Sequence, residues 1–286
     1  MSAHLVKTIN ELRELLKSRR TGKIGLVPTM GALHKGHASL IARSVEECDT
    51  TVVSVFVNPV QFGVNEDYDK YPSTLEADLS LCSELKADFV FAPSVAEMYG
   101  ENVKQGLHDD LLTTVCPPFR MVDRLCGKSR PGHFDGVATV VTKLFNIVSP
   151  DLAFFGQKDA QQVIVLKKVV RDLNIPVKIV TCPLVRDDDG LATSSRNTYL
   201  SASDREHALS ISKMLFAIKK AFDAGVVDTE ILFETGLSVL DKNAGLEYLE
   251  FVDGETLEPS KTAKKGDLVA TAVKIGSVRL IDNIIL

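Results

Sequence analysis

The chain is 286 residues long and 45% hydrophobic, with 33 basic against 38 acidic side chains and a net charge of −5. That length can bury one large or two smaller cores, and the acidic balance argues against a surface built for nucleic acid. Five cysteines without CxxC spacing exclude a disulfide framework and indicate a reducing, cytoplasmic setting. No apolar run is long enough to span a bilayer, and residues 1–20 have the amphipathic pattern of a helix rather than a secretory signal. A membrane partner is therefore not expected.

In chain order, residues 6–18 place Val6, Ile9, Leu12, Leu15 and Leu16 on one side of a helix. Residues 23–27 read as a short apolar strand. Residues 38–48, with Leu40, Ile41 and Val45 at helical spacing, read as the helix after it. Residues 51–57 are β-branched and nearly all apolar, the pattern of a buried parallel strand. A helix over 74–85 and a strand over 88–92 follow. Residues 98–119 mix Gly, Pro and short apolar pairs, and read as a strand with irregular flanks. The alternation resumes with a helix over 137–148, a strand over 151–155, a helix over 161–173 and a strand over 177–183. Beyond residue 185 come helices over 204–224 and 229–242, then strands over 246–252, 268–275 and 278–286. The fold class is α/β: a parallel sheet with helices on both faces, followed by a smaller α+β domain. Right-handed crossovers put the loops after each strand along one edge, where such sheets bind ligands.

The loops at that edge carry the chemistry. Pro28 and Gly31 punctuate the join between the 23–27 strand and its helix, and His34 and His37 stand three apart on one face of the helix start. Free backbone N–H groups there attract anions, and Gly36 has no Cβ to obstruct a ring or a phosphate. The stretch reads as a nucleotide site, with both histidines aimed at phosphate oxygens; as a helix cap it would need no ligand. A metal site lacks the Cys or carboxylate cluster to complete it. Asn58 and Gln61, separated by Pro59 and Val60, offer two amides to a polar small molecule or to their own backbone. Lys128, Arg130 and His133 lie in a Gly-rich approach to a helix, suited to an anion or to an ordinary capped loop with solvated cations. Lys158 follows a strand and precedes a helix, as a phosphate-binding lysine does, while Asp159 stands where it can cap that helix. Asp187, Asp188 and Asp189 read as a solvated turn. In Ser194-Ser195-Arg196-Asn197, two hydroxyls beside a guanidinium can cover a triphosphate, although the loop taken alone is also a helix cap.

Together these segments resemble the pantothenate synthetase (pantoate–β-alanine ligase) family. The matching pieces are Pro28-Thr29-Met30-Gly31-Ala32-Leu33-His34-Lys35-Gly36-His37, Phe56-Val57-Asn58-Pro59-Val60-Gln61-Phe62, Arg130-Pro131-Gly132-His133-Phe134, Phe155-Gly156-Gln157-Lys158-Asp159-Ala160-Gln161-Gln162 and Ser194-Ser195-Arg196-Asn197. The His-x-Gly-His element alone is shared across a wide nucleotidyltransferase superfamily; the combination is specific. The resemblance implies a Rossmann-like catalytic domain over residues 1–184 and a C-terminal lid over 185–286, in a cytoplasmic homodimer. It implies ligation of pantoate and β-alanine with ATP and Mg2+ through a pantoyl adenylate, with no nucleic acid involved. His34, His37, Lys158 and Arg196 take catalytic roles by this match. ATP is held by Met30, Gly36, His37, Gly156, Lys158, Asp159, Ser194, Ser195 and Arg196, and pantoate by Met30, Asn58, Gln61, Phe155 and Gln162. Three positions depart from the family pattern: Gln157 where Glu is frequent, Thr193 where a larger or apolar residue is common, and Cys126 where an acid is common. A nucleotidyltransferase acting on a phosphorylated acceptor would need further cations, whereas Gln61 and Gln162 suit a neutral or singly charged substrate. A nucleotide sensor without turnover would not need the intact set of His34, His37, Lys158 and Arg196.

Overall fold

Thr8 starts the first helix later than the apolar pattern alone suggests. Its hydroxyl accepts from Glu11 N, so helix α1 covers Ile9–Lys17, and the residues before it form a short strand, β1 (His4–Val6). The pairing that makes β1 a strand is with residues more than eighty positions away, which no local periodicity reveals. The computed structural model describes residues 2–63, 66, 68–101, 103 and 112–286.

The α/β alternation is present as read. β2 (Ile24–Thr29), α2 (Lys35–Glu47), β3 (Thr50–Val55), α3 (Leu75–Glu84), β4 (Phe89–Phe91) and the short α4 (Val95–Tyr99) come in turn. Two short helices, α5 (Phe119–Val122) and α6 (Leu125–Ser129), precede α7 (His133–Val148), β5 (Leu152–Gly156), α8 (Ala160–Asp172) and β6 (Lys178–Cys182). Among the described residues of 98–119 there is no strand, but residues 102 and 104–111, on which part of that expectation falls, lie outside the described residues. Helix α7 starts four residues before the expected 137, because Gly132 takes the left-handed φ of +78° that lets the chain turn into it.

All six strands run parallel, in the order β1-β4-β3-β2-β5-β6. Leu12, Leu16, Val140, Leu144 and Leu166 pack on one face, from α1, α7 and α8. Leu40, Ile41 and Cys82, from α2 and α3, cover the other. The strand order reverses at β2, which lies between β3 and β5. β2 pairs with β3 along its whole length, from Ile24 to Thr29, yet with β5 only at Gly25 and Leu26. The ends of β2 and β5 therefore diverge, and a crevice opens at the switch point, where open α/β sheets bind ligands.

After residue 185, helices α9 (Ala202–Asp223) and α10 (Thr229–Leu237) pack on an antiparallel sheet of β7 (Gly245–Val252), β8 (Leu268–Ile275) and β9 (Val278–Ile285). Helix α10 stops short of the expected 242, where Asp241 accepts from Asn243 N and turns the chain. A separate apolar cluster joins Leu125, Phe134, Ile164 and Val165 to Val252, Leu257 and Leu268. That seam seats the small sheet beside the crevice.

Candidate active site at the sheet edge

The loop leaving β2 is held from behind. Gly31 has φ +85°, and a Cβ there would sit 2.9 Å from Asp78 Oδ2 and 3.0 Å from Val55 Cγ1. The buried Asp78 carboxylate accepts from Ala32 N (3.0 Å) and Leu33 N (2.8 Å), fixing the path into α2. Nothing near Asp78 in the chain signals this task.

His34 and His37 close the first turn of α2 on each other. His34 Nδ1 accepts from Gly36 N (3.1 Å), and His37 Nδ1 accepts from His34 N (3.3 Å), with ring centroids 4.1 Å apart. The cap reading holds and is compatible with the ligand-facing one, since the caps use only Nδ1 of each ring. Burial, then the charge of Lys158, lowers the pKa of His34. Burial, then His34 and Lys158, lowers that of His37 to about 3. Both rings are neutral near pH 7. A neutral imidazole that accepts at Nδ1 carries its proton on Nε2, so both present N–H donors to the crevice. Gly36 is required by the ring itself: a Cβ would meet His34 Cε1 at 2.9 Å.

At the next loop, Asn58 is only 1% exposed and fully engaged. Its Nδ2 donates to Gly136 O (3.1 Å) and Gln61 Oε1 (3.2 Å), and its Oδ1 accepts from Val60 N (3.3 Å) and Tyr99 Oη (2.9 Å). Asn58 therefore acts through Gln61, whose Nε2 points past Met30 Sδ at 3.1 Å. Gly136 lets α7 touch this turn: a Cβ there would lie 2.6 Å from Gln61 Cα. His133 Nδ1 donates to Gln61 O (3.0 Å), while Arg130 is held by Glu66 and by His133 Nε2 (3.2 Å). Arg130 is thus ion-paired rather than solvated, and with His133 it braces the Gln61 turn. Burial alone would raise the Glu66 pKa, but the Arg130 hydrogen bond and charge prevail and lower it. Val137, Val140 and Val141 of α7 add an apolar wall opposite Met30 and Phe155.

Beyond β5, Lys158 Nζ lies 3.8 Å from Asp159 Oδ2. Asp159 occupies the position before α8, but its side chain makes no capping bond, contrary to the simple cap reading. Asn283 of β9 crosses from the small sheet to hold this loop, donating through Nδ2 to Gln157 O and Lys158 O, both at 3.0 Å. Gln157 answers with its own amide, Nε2 to Asn283 Oδ1 at 3.3 Å, which accounts for an amide at this departure from the family pattern. Thr193 is buried and donates to Asp187 at 2.7 Å. Cys126 Sγ lies 3.2 Å from Tyr248 Oη and 3.7 Å from Arg279 Nη1. The three-aspartate turn is not simply solvated, since Arg205 bridges Asp187 (2.9 Å) and Asp189 (2.7 Å). Ser194 caps the 3-10 turn Ser195–Tyr199 by accepting from Arg196 N.

Every residue singled out from the sequence for ATP or pantoate lines one cavity of about 230 Å3. It continues into a cleft of about 540 Å3 under the small sheet, and Lys158, Asp159, Gln162, Ser194 and Arg196 border both spaces. One end gathers hydrogen-bond donors and cations suited to a polyphosphate. The other combines apolar walls with amide groups and suits a small branched acid. Asp78, Tyr99, Gly136 and Asn283 were not among the residues the sequence singled out. Each acts through a long-range contact.

Comparison with known proteins agrees with this layout. A family described as pantoate–β-alanine ligase matches residues 4–285. The pantothenate synthetase of Acetivibrio thermocellus is 50% identical over 285 residues, covering 98% of each chain. That of Caldicellulosiruptor saccharolyticus is 48% identical with the same coverage. The crystal structure of pantothenate synthetase from Thermus thermophilus superposes with a TM-score of 0.90 at 42% identity, over 98% of both chains. A pantoate–β-alanine ligase from Francisella tularensis, complexed with β,γ-ATP and β-alanine, gives 0.79 at 36% identity, over 99% of this chain and 98% of that one. On its sequence, its fold and the contents of its crevice, the chain belongs to the pantoate–β-alanine ligase family.

Proposed function

We propose that this enzyme joins pantoate to β-alanine in two steps at the single crevice between β2 and β5, through an enzyme-held pantoyl adenylate. A carboxylate is a poor acyl donor, because substitution would have to expel oxide. In the first step a pantoate carboxylate oxygen forms a bond to the α-phosphorus of ATP, and the bond to the β-phosphate breaks to release pyrophosphate. In the second, the β-alanine amine attacks the activated carbonyl, AMP leaves with the bonding pair and the amine gives up a proton. No protein nucleophile is needed.

The observation that carries this reading is the juxtaposition of two neutral N–H imidazoles and Lys158 with the Gln61 amide and apolar walls of one cavity. His34, His37 and Lys158 stabilise charge as the five-coordinate phosphorus forms. Ser194, Ser195 and Arg196 close over the phosphates, Gly156 and Asp159 take the nucleoside side, and Gln61 and Gln162 hold pantoate between Met30 and Phe155. Among the described residues no group of three or more His, Cys, Asp or Glu gathers to cage a metal. Asp159 is the carboxylate in the cavity wall that would face a Mg2+ brought in with the triphosphate, and the ion would supply charge neutralisation at the phosphates. Residues 185–286 act as the lid and 185–190 as its hinge, in a homodimer working in the cytoplasm. Among the described residues no helix is long and apolar enough to cross a membrane, and the free cysteines fit a reducing compartment. A phosphorylated acceptor is disfavoured, because Arg130, the cation lining the Gln61 end, is already paired with Glu66.

Enzyme incubated with ATP and pantoate, β-alanine withheld, is expected to accumulate pantoyl adenylate with one pyrophosphate per adduct, detected by mass spectrometry. ATP consumption without an acyl-AMP species would overturn the two-step route. A second result separates the two jobs of His34. His34→Asn keeps a capping oxygen and loses the Nε2–H, whereas His34→Ala loses both. Both variants are expected to slow AMP formation by about a hundredfold or more, while only His34→Ala loses about 1 kcal/mol of stability. Unfolding midpoints beside rates check this; a fast His34→Asn enzyme would confine His34 to capping.

A further inference from the structure

The hydrogen bonds behind Gln61 have a direction. Asn58 Oδ1 takes the Val60 N–H, so it is the carbonyl end, and Nδ2 faces the Gly136 carbonyl. Reversing the amide would set donor against donor and acceptor against acceptor. A carbonyl oxygen cannot donate, so the Tyr99 hydroxyl, 2.9 Å away, is the donor. Burial raises the phenol pKa, which keeps that proton in place across the working pH range. Downstream, Asn58 Nδ2 occupies Gln61 Oε1, which leaves the Gln61 NH2 as the group turned to the cavity beside Met30 Sδ. A thioether is a weak acceptor, and a ligand oxygen is the natural replacement.

We infer that Tyr99 is a positioning residue for the acid substrate: through Asn58 it locks Gln61 with its NH2 outward, so that the cavity demands a hydrogen-bond acceptor at that point. The inference rests on the proposed pantoate reaction and deepens it. A pantoate carboxylate or hydroxyl oxygen meets the demand, and a group able only to donate does not. Tyr99 reaches the site only through Asn58. Its ring packs near Phe56 (centroids 6.1 Å) and under Lys143 Nζ (5.3 Å), contacts that Tyr99→Phe retains.

The test is steady-state kinetics of the full-length enzyme with each substrate varied in turn. Tyr99→Phe is expected to raise the pantoate KM about tenfold, with kcat at saturating pantoate and the ATP KM within about twofold of the parent. Asn58→Asp puts an acceptor where Nδ2 stood and turns the Gln61 amide around; its pantoate KM is expected to rise further, by about a hundredfold, with the ATP KM again little changed. A parental pantoate KM in Tyr99→Phe overturns the inference. So does a joint rise in the pantoate and ATP constants with a fall in Tm, which makes Tyr99 a packing residue. Should Tyr99→Phe not fold, Asn58→Asp decides alone on the same split. The unaltered enzyme is the separate control: if it does not consume pantoate, the proposed reaction fails rather than the relay.

Discussion

Lys158→Ala is expected to lower the rate of pantoate-dependent AMP formation by about a hundred- to a thousandfold, the range for loss of one donor to developing charge. The ammonium stands at the meeting point of the cavity and the cleft, with its side chain 21% exposed and its backbone carbonyl held by Asn283. Its charge already lowers the proton affinity of both active-site histidines, so it lies within electrostatic reach of the phosphate end. The loss should fall on kcat as well as on the ATP KM, because charge on the phosphate oxygens is redistributed during transfer. Since the ammonium pairs with the neighbouring Asp159 at the cavity wall, the unfolding midpoint should stay near that of the parent. A variant that turns over pantoate at close to the parental rate would remove Lys158 from the catalytic group.

The second large effect is on stability and follows from the buried imidazoles. Burial, with Arg130 next, lowers the His133 pKa to about 4, and His37 is lowered to about 3, against 6.5 for an ordinary histidine. As pH falls through 6.5 the unfolded chain takes up protons that the folded chain refuses. The stability these groups contribute is therefore complete above 6.5 and is lost as pH falls, down to about 4 for His133 and about 3 for His37. Each such proton is worth ~1.4 kcal/mol per pH unit, so by pH 5 each residue should account for about 2 kcal/mol of lost stability. Urea unfolding at pH 7.5 and pH 5 measures the sum. His133→Gln, without a titrating ring, should shrink the difference by about 2 kcal/mol. Equal stability at both pH values would contradict the neutral, buried state of these rings, and with it the proposed use of His37 as an N–H donor.

The site and its scaffold were legible to different degrees. Strand–helix alternation through residue 183 is a local pattern of apolar and β-branched residues, and it survives folding because each segment buries one face against the sheet. That His34, His37 and Lys158 meet at one crevice was legible too, since side chains just after strand ends fall on one rim in any parallel sheet of this hand. Ser194 and Ser195, well beyond β6, join them only through the tertiary fold. β1 escaped because three residues are too few to show a period and its partner is β4. The strand expected within 98–119 falls in part on residues 102 and 104–111, outside the described residues.

What composition and spacing settle here is the class of fold and which side chains follow the strand ends at the crevice edge, because these depend on neighbours in the chain and on the handedness of crossovers. The imidazole nitrogens are assigned by bonds within one helical turn and the Gln61 amide by Asn58 three residues before it, geometry that spacing alone does not give. Why positions 78, 136 and 283 hold Asp, Gly and Asn is settled only when distant segments meet. Hydrogen-bond direction and the room for a Cβ are properties of pairs of groups, and for Asp78, Gly136 and Asn283 the partners lie tens to more than a hundred residues away along the chain.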